Sequence, residues 1–141
     1  MTVDSTTRSH HDRPATRTMT CTPGIVRAMR VVLWLLAAAV FAQAVFAGLL
    51  LDGGDAWRDW HATTGMLVLP LLALTQVVLA VLVWRRRRGP GWLAVASVGL
   101  LLALQVQSVL GMTSRLALHV PLGMAIFGLV GTLLVRTRTM T

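Results

Sequence analysis

The chain has no lysine and no glutamate, and its single cysteine is Cys21. One cysteine cannot form an internal disulfide or a zinc cluster, and no Cys-x-x-Cys-His motif is present for covalent attachment of a c-type haem. The sequence also has no phosphate-binding loop, no carboxylate pair within an apolar segment and no adjacent nucleophile and base. It therefore shows no independent catalytic constellation, and a redox role would require a bound cofactor.

Apolar residues make up most of what is present. Of the 141 residues, 55% are hydrophobic, and the mean hydropathy is +0.71. A soluble domain of this length would need more polar residues to cover its core. Helices of about 20 uncharged residues can cross the ~30 Å hydrocarbon layer of a bilayer. Four windows meet this requirement and predict an integral membrane protein: 31–51, 61–84, 92–112 and 116–135.

The segments between these windows are short, and short connections force neighbouring helices to run antiparallel. The predicted fold class is therefore all-α: an up-down-up-down four-helix bundle in the membrane, built from two weakly similar helical hairpins. The Thr-, Ser-, Arg- and Pro-rich start has little to bury, which is typical of a disordered segment. The predicted organisation is a disordered cytoplasmic tail at 1–24, a transmembrane domain at 25–136 and a short cytoplasmic tail at 137–141.

The net charge of +8 is distributed unevenly along the chain. Most arginines of the helical region lie on one predicted side, and cytoplasmic loops of membrane proteins are rich in such residues. We therefore expect a multi-pass protein of the plasma membrane with both termini in the cytoplasm and the bilayer, rather than nucleic acid, as its partner. The cytoplasmic set is Arg27, Arg30, Arg85, Arg86, Arg87, Arg88, Arg136 and Arg138; the outer set is Arg58 and Arg115, near Asp52, Asp55 and Asp59.

Two histidines occur near the outer ends of predicted helices two and four. If Asp55 caps helix two and Thr113 or Ser114 caps helix four, His61 and His119 lie one to two turns inside, at matching depths. Helices two and four are diagonal partners in a square bundle, roughly 12–14 Å apart if adjacent axes are 8–10 Å apart. Two imidazoles that reach inward to one central metal would roughly fill that distance.

The sequence around each histidine repeats. Gly65 and Gly123 each follow a histidine by four residues, which places glycine on the same helix face and predicts clearance beneath each imidazole. Each preceding helix carries a glutamine and then a glycine near its outer end: Gln43 and Gly48, and Gln107 and Gly111. A flat macrocycle between helices needs such small residues, and imidazole is a common axial ligand of haem iron.

Other interpretations of these residues stay open. Small residues in membrane helices often serve only to let backbones approach, and glutamines often form hydrogen bonds between helices. Interfacial histidines can contact headgroups or water alone. Gln105 and Gln107 cannot share a helix face, so one of the two points away from the bundle interior.

The order glutamine–glycine, histidine, glutamine–glycine, histidine over residues 31–135 resembles one four-helix half of the heme A synthase family. It is similar more broadly to small four-helix membrane cytochromes b and to uncharacterised actinobacterial four-helix membrane proteins. The resemblance implies that His61 and His119 bind haem. The chain differs from that family in having one such half, and in having Arg58 where the family has an acidic residue.

Two hypotheses of function follow. The first is a single-haem cytochrome b-like bundle that acts in electron transfer or haem handling at the outer face. Its haem b would be ligated by His61 and His119, and Arg58 and Arg115 would pair with the propionates. Its expected partners are a redox protein in the membrane, a quinone or a second copy of the chain. The alternative is a haem-free structural or accessory subunit of a membrane complex.

Overall fold

The computed structural model describes residues 23–87, 90–138 and 140. Within these ranges the chain is helical and contains no strand. A π-helical segment, Thr64–Val68, joins the second helix to the third without a break. The described chain therefore forms an all-α bundle of four spans, and the fold-class prediction is confirmed. The helices are α1 (Pro23–Leu51), α2 (Trp57–Thr63), α3 (Leu69–Arg87), α4 (Trp92–Met112) and α5 (Leu116–Arg138).

The helix bounds agree with the predicted windows where turn residues end an apolar run. The windows that end at 51, span 92–112 and begin at 116 match the helices at those points. Three spans extend further, because arginine-containing turns excluded from an uncharged window still continue the helix. The second span runs from Trp57 to Arg87. α1 begins at Pro23, a residue favoured in a first helical turn, and α5 ends at Arg138. The predicted tail up to residue 22, with Cys21, lies outside the described residues.

The four spans form a square. α1 contacts α3 and α5, and α4 contacts the same two helices, whereas neither α1 with α4 nor α3 with α5 makes contact in the described ranges. The span that includes α2 and α3 therefore lies diagonally opposite α5, as predicted. We call the end formed by the 52–56 and 113–115 connections the histidine end. The opposite end, where α1 begins and α5 finishes, is the arginine end.

The apolar core is confined to the arginine end and the middle of the bundle. Each span contributes residues spaced by three or four positions, the pattern that lets helices pack at a shallow crossing angle. In the described chain, no residue of 41–68 or 105–125 is buried. The core residues include Val26, Met29, Leu33, Leu36 and Val40 of α1; Leu69, Ala73, Ala80 and Val83 of α3; Leu93, Leu100 and Leu104 of α4; and Ile126, Val130 and Leu133 of α5.

The outer surface of the bundle is apolar. Val95 and Met124 are 73% and 72% exposed, and every span has a window with a mean hydropathy of at least 2.0. A monomeric soluble protein rarely exposes contiguous apolar surface on this scale. All four spans are long enough to cross a bilayer. The chain is thus a multi-pass membrane protein whose helices contact lipid.

The second span is irregular next to Pro70. Proline has no N–H to continue the helical hydrogen-bond ladder, and its ring crowds the preceding turn. The backbone widens just before it, and Leu69 N–H donates to Thr64 O in the five-residue pattern of a π-helix. Such wide turns keep a helix continuous across a disrupted ladder and are frequent at functional sites.

The predicted side-chain caps are not formed. Ala56 precedes α2 and makes no capping bond. The carboxylate of Asp55, the predicted cap, accepts a hydrogen bond from Arg58 instead. At the start of α5, Ser114 has a φ of 55°. The backbone N–H of His119 donates to Arg115 O at 2.9 Å, so its partner is a main-chain carbonyl and not a capping side chain. The predicted depths of the histidines survive, because both helices begin within one to two turns of them.

One arginine joins the ends of the first and last helices. Arg30 donates from Nε and Nη2 to Thr137 O, at 3.1 and 2.9 Å, and from Nη2 to Met140 O at 2.8 Å. The final carbonyls of a helix lack partners in the helix itself, and a cation there also opposes the helix dipole. Arg138 makes a second contact between these two helices: its guanidinium carbon lies over the Trp34 ring, 5.8 Å from the ring centroid.

Replacing Arg30 with lysine should therefore weaken the bundle, because a single ammonium group cannot reproduce the guanidinium's several directed donors. We expect a loss of about 1–3 kcal/mol in the free energy of unfolding, measured by denaturant titration in detergent. Arg27→Lys is the matched control, since Arg27 is exposed. Equal stability of the two variants would contradict a role for Arg30 beyond its charge.

Candidate functional site

His61 and His119 come together between diagonal spans at the histidine end. Their ring centroids are 6.4 Å apart and their ring planes are inclined by 53°. Both side chains are half-buried. The structure thus brings the two predicted histidines close together.

Each histidine backbone is bonded by a glutamine from the preceding span. Gln43 Nε2 donates to His61 O at 2.9 Å, and Gln107 Nε2 donates to His119 O at 2.8 Å. Gln105 is exposed, so the member of the Gln105–Gln107 pair that faces inward is Gln107. The sequence repeat therefore corresponds to a structural repeat in the two hairpins.

The glycines four residues after each histidine have a different neighbour from the one predicted. A Cβ on Gly65 would lie 2.8 Å from Gln43 Nε2, and a Cβ on Gly123 would lie 3.0 Å from Gln107 Nε2. A helical carbonyl points along the axis towards residue i+4, so a side chain that bonds the histidine carbonyl passes over that residue. The glycines thus clear space for the glutamine amides, not for the imidazoles.

The ring of His119 is held by α4. His119 Nδ1 lies 3.0 Å from the backbone O of Gln107, and because a carbonyl only accepts, Nδ1 carries the proton and donates. A Cβ on Gly111 would lie 3.0 Å from His119 Cε1, so glycine lets the ring lie against the helix. Gly111 is the glycine that follows Gln107 in the glutamine–glycine order of the sequence, and the space it leaves is occupied by the His119 ring.

Several polar atoms at the histidine end are buried without a partner in the described part of the chain. They are Gln43 Oε1, His61 Nδ1 and Gln107 Oε1. Leaving a buried polar group without a hydrogen bond costs about 1–3 kcal/mol. A ligand or water between the histidines would provide the hydrogen bonds that these atoms lack.

The two arginines of this end lie at the helix starts. Arg58 Nη2 contacts Asp55 Oδ1 at 3.3 Å, with both side chains largely exposed, and such pairs contribute at most about 1 kcal/mol. Arg115 is also exposed and lies one turn before His119. Both arginines are therefore exposed residues within about one helical turn of a histidine along the chain.

Gln76 is the glutamine that lies elsewhere. It is fully buried in the core of α3, and neither its Nε2 nor its Oε1 has a partner among the residues described. A glutamine in a membrane helix often forms a hydrogen bond to a neighbouring helix, but Gln76 forms no such bond with the residues described. It belongs to the arginine-end core and not to the histidine site.

Within the described chain, His61 and His119 are the residues that we consider as metal ligands. No group of three or more histidine, cysteine, aspartate or glutamate residues converges within the described ranges, so these residues provide no tetrahedral zinc site of the usual kind. No protein-family model, no curated protein and no solved structure matches the chain. The interpretation of the site therefore depends on its own geometry.

Leucine at Gly65 or Gly123 should displace the glutamine amide and break its bond to the histidine carbonyl. We expect a loss of about 1–3 kcal/mol for each variant from overpacking, measured by denaturant titration. Gly99→Leu is the control, because an added Cβ there meets no described atom within 4 Å. Equal stability of Gly65→Leu and Gly99→Leu would show that Gly65 does not border the bundle interior.

Proposed function

We propose that His61 and His119 are the two axial ligands of one b-type haem, and that the protein is a single-haem cytochrome b-like bundle. The observation that carries the proposal is the 6.4 Å separation of the ring centroids. Metal–imidazole nitrogen bonds are about 2.0–2.1 Å long, and that nitrogen lies about 1.1 Å from the ring centroid, so imidazoles on opposite sides of one ion have centroids about 6.3 Å apart. The 53° between the planes is compatible, because two imidazole rings that share one metal–nitrogen axis can have any angle between their planes.

The number of ligands also favours haem over a bare ion. Two imidazoles alone leave most coordination positions of a metal ion unfilled, whereas a porphyrin supplies four nitrogens of its own. The Nδ1–H of His119 donates to Gln107 O, which leaves Nε2 as the nitrogen that can bind a metal; metal-ligating histidines in proteins are commonly held in this way. The chain thus provides what a haem requires from its protein.

The space at the histidine end supports the same conclusion. No residue of 41–68 or 105–125 is buried, so this part of the bundle has no packed apolar core that would compete with a bound group. Arg58 and Arg115 at the rim carry the charge that haem propionates need.

A haem held by two imidazoles is six-coordinate and is suited to electron transfer. The sequence has four histidines, of which two are His10 and His11, so no second histidine pair exists in the spans to relay electrons to the arginine end. Electrons would enter and leave near the histidine end, through a partner subunit or a membrane quinone. Haem handling at that face is the related role that the same site would serve.

We further propose that the arginine end faces the cytoplasm. Its support is the arginine asymmetry of the sequence, which follows the positive-inside pattern. Trp57 and Trp60 lie at the histidine end, and Trp84 and Trp92 at the other, all partly exposed. Tryptophan is enriched at both membrane interfaces, so these side chains would mark the two edges of the hydrocarbon layer.

Protein expressed with ample haem should contain one haem per chain in a pyridine haemochrome assay, with a low-spin absorption spectrum. Alanine at His61 or His119 should abolish the low-spin spectrum, because either change removes an axial ligand. Alanine at both His10 and His11 is the control and should leave the spectrum unchanged. Wild-type protein without haem would replace this proposal with the haem-free accessory role.

The orientation can be tested by cysteine labelling in intact cells, in a Cys21→Ser background. A cysteine at Asp52 should react with an impermeant maleimide from outside, and a cysteine at Pro90 should react only after the membrane is permeabilised. Both positions are exposed at opposite ends of the bundle. Labelling of position 90 alone in intact cells would reverse the orientation and leave the haem proposal untouched.

A further inference from the structure

The two histidines share a backbone arrangement but differ in how their rings are held. The ring of His119 donates to Gln107 O at 3.0 Å and lies against Gly111. The His61 ring also contacts the backbone of Gln43, but its buried Nδ1 forms no hydrogen bond of good geometry in the part of the chain described. The hairpins are therefore alike in main-chain bonding and differ in how closely each imidazole is held.

A one-residue difference in spacing accounts for part of this contrast. Gly111 follows Gln107 by four residues and so lies on the same face of α4, against the His119 ring. On α1 the glycine follows Gln43 by five residues, which rotates it away from that face. An added Cβ at Gly48 meets no described atom within 4 Å, and the position equivalent to Gly111 is Ala47.

The backbone around the two histidines differs as well. His119 belongs to α5, a regular helix of 23 residues. His61 belongs to α2, a helix of 7 residues with no buried member, and the five-residue π-helical segment follows directly. Since α2 has no buried residue and α5 has five, a shift of the helix that carries His61 would disturb less packing than a shift of the helix that carries His119.

We propose that, towards the haem of the proposed function, His119 is the permanent ligand and His61 the exchangeable one. The inference rests on that function. A histidine whose Nδ1–H donates to a carbonyl is fixed in one tautomer and is a stronger metal ligand, whereas His61 has only a weaker contact with the backbone of Gln43. A small neutral ligand of the carbon monoxide class therefore binds on the His61 side, in the place of that imidazole.

Carbon monoxide is the probe for this inference. Reduced, haem-loaded wild-type protein should bind it at a rate that reaches a plateau with concentration, because release of His61 limits binding. His61→Ala should bind it at least tenfold faster, with a rate proportional to concentration, and should keep its haem through gel filtration. His119→Ala should retain at least tenfold less haem. Failure of the wild type to bind carbon monoxide, or the reverse ranking of the two variants, overturns the proposal.

Two further measurements remain decisive if His119→Ala does not fold. Gly111→Ala keeps both ligands but crowds the His119 ring, so it should lower haem retention, whereas Gly48→Ala should not. In the haem-free protein, nitrogen-15 spectra of the imidazoles should show a proton fixed on Nδ1 of His119 and exchange between tautomers in His61. Equal effects of the two glycine variants, or any other tautomer pattern, contradicts the proposal. Absence of haem from the wild type would instead refute the function on which it rests.

Discussion

Hydrogen bonding inside a medium without water is the constraint on which this structure depends. Backbone polar groups in the hydrocarbon layer must be satisfied by the protein itself, and this chain has few side chains that can help. Gln43 and Gln107 use their amide N–H groups on the carbonyls of His61 and His119. These bonds fix the heights of the helices that carry the histidines. The position of the imidazole pair is therefore a consequence of two glutamine side chains.

The sequence predicted the parts of the structure that follow from long-range composition and helical period. Apolar windows, short connections and diagonal placement followed from bilayer thickness and antiparallel packing. The period also required that one of Gln105 and Gln107 face outward. The convergence of His61 and His119 followed from the same reasoning, because matched depth on diagonal helices leaves inward-pointing rings few other places to lie.

Features that depend on individual hydrogen bonds were not predictable from pattern alone. Gly65 could be placed on the face of His61, but which atom occupies the space above it depends on the Gln43 rotamer. Asp55 was expected to cap a helix, yet it contacts Arg58 instead. Arg30 was interpreted as a topology signal, since nothing in its neighbourhood indicates that it reaches carbonyls more than a hundred residues away. In each case the side chain has several hydrogen-bond partners of similar energy, and the sequence pattern does not show which one it takes.

The uneven distribution of the core has a consequence for biogenesis. The arginine end is a packed unit of apolar side chains that can form as soon as the four spans have been inserted. The histidine end has no equivalent packing in its described residues, so its final closure would depend on the cofactor that enters it. On the proposed function, insertion and folding of the polypeptide would therefore precede cofactor loading. The cofactor would enter from the membrane face at which the histidines lie, into a frame held together from the opposite face.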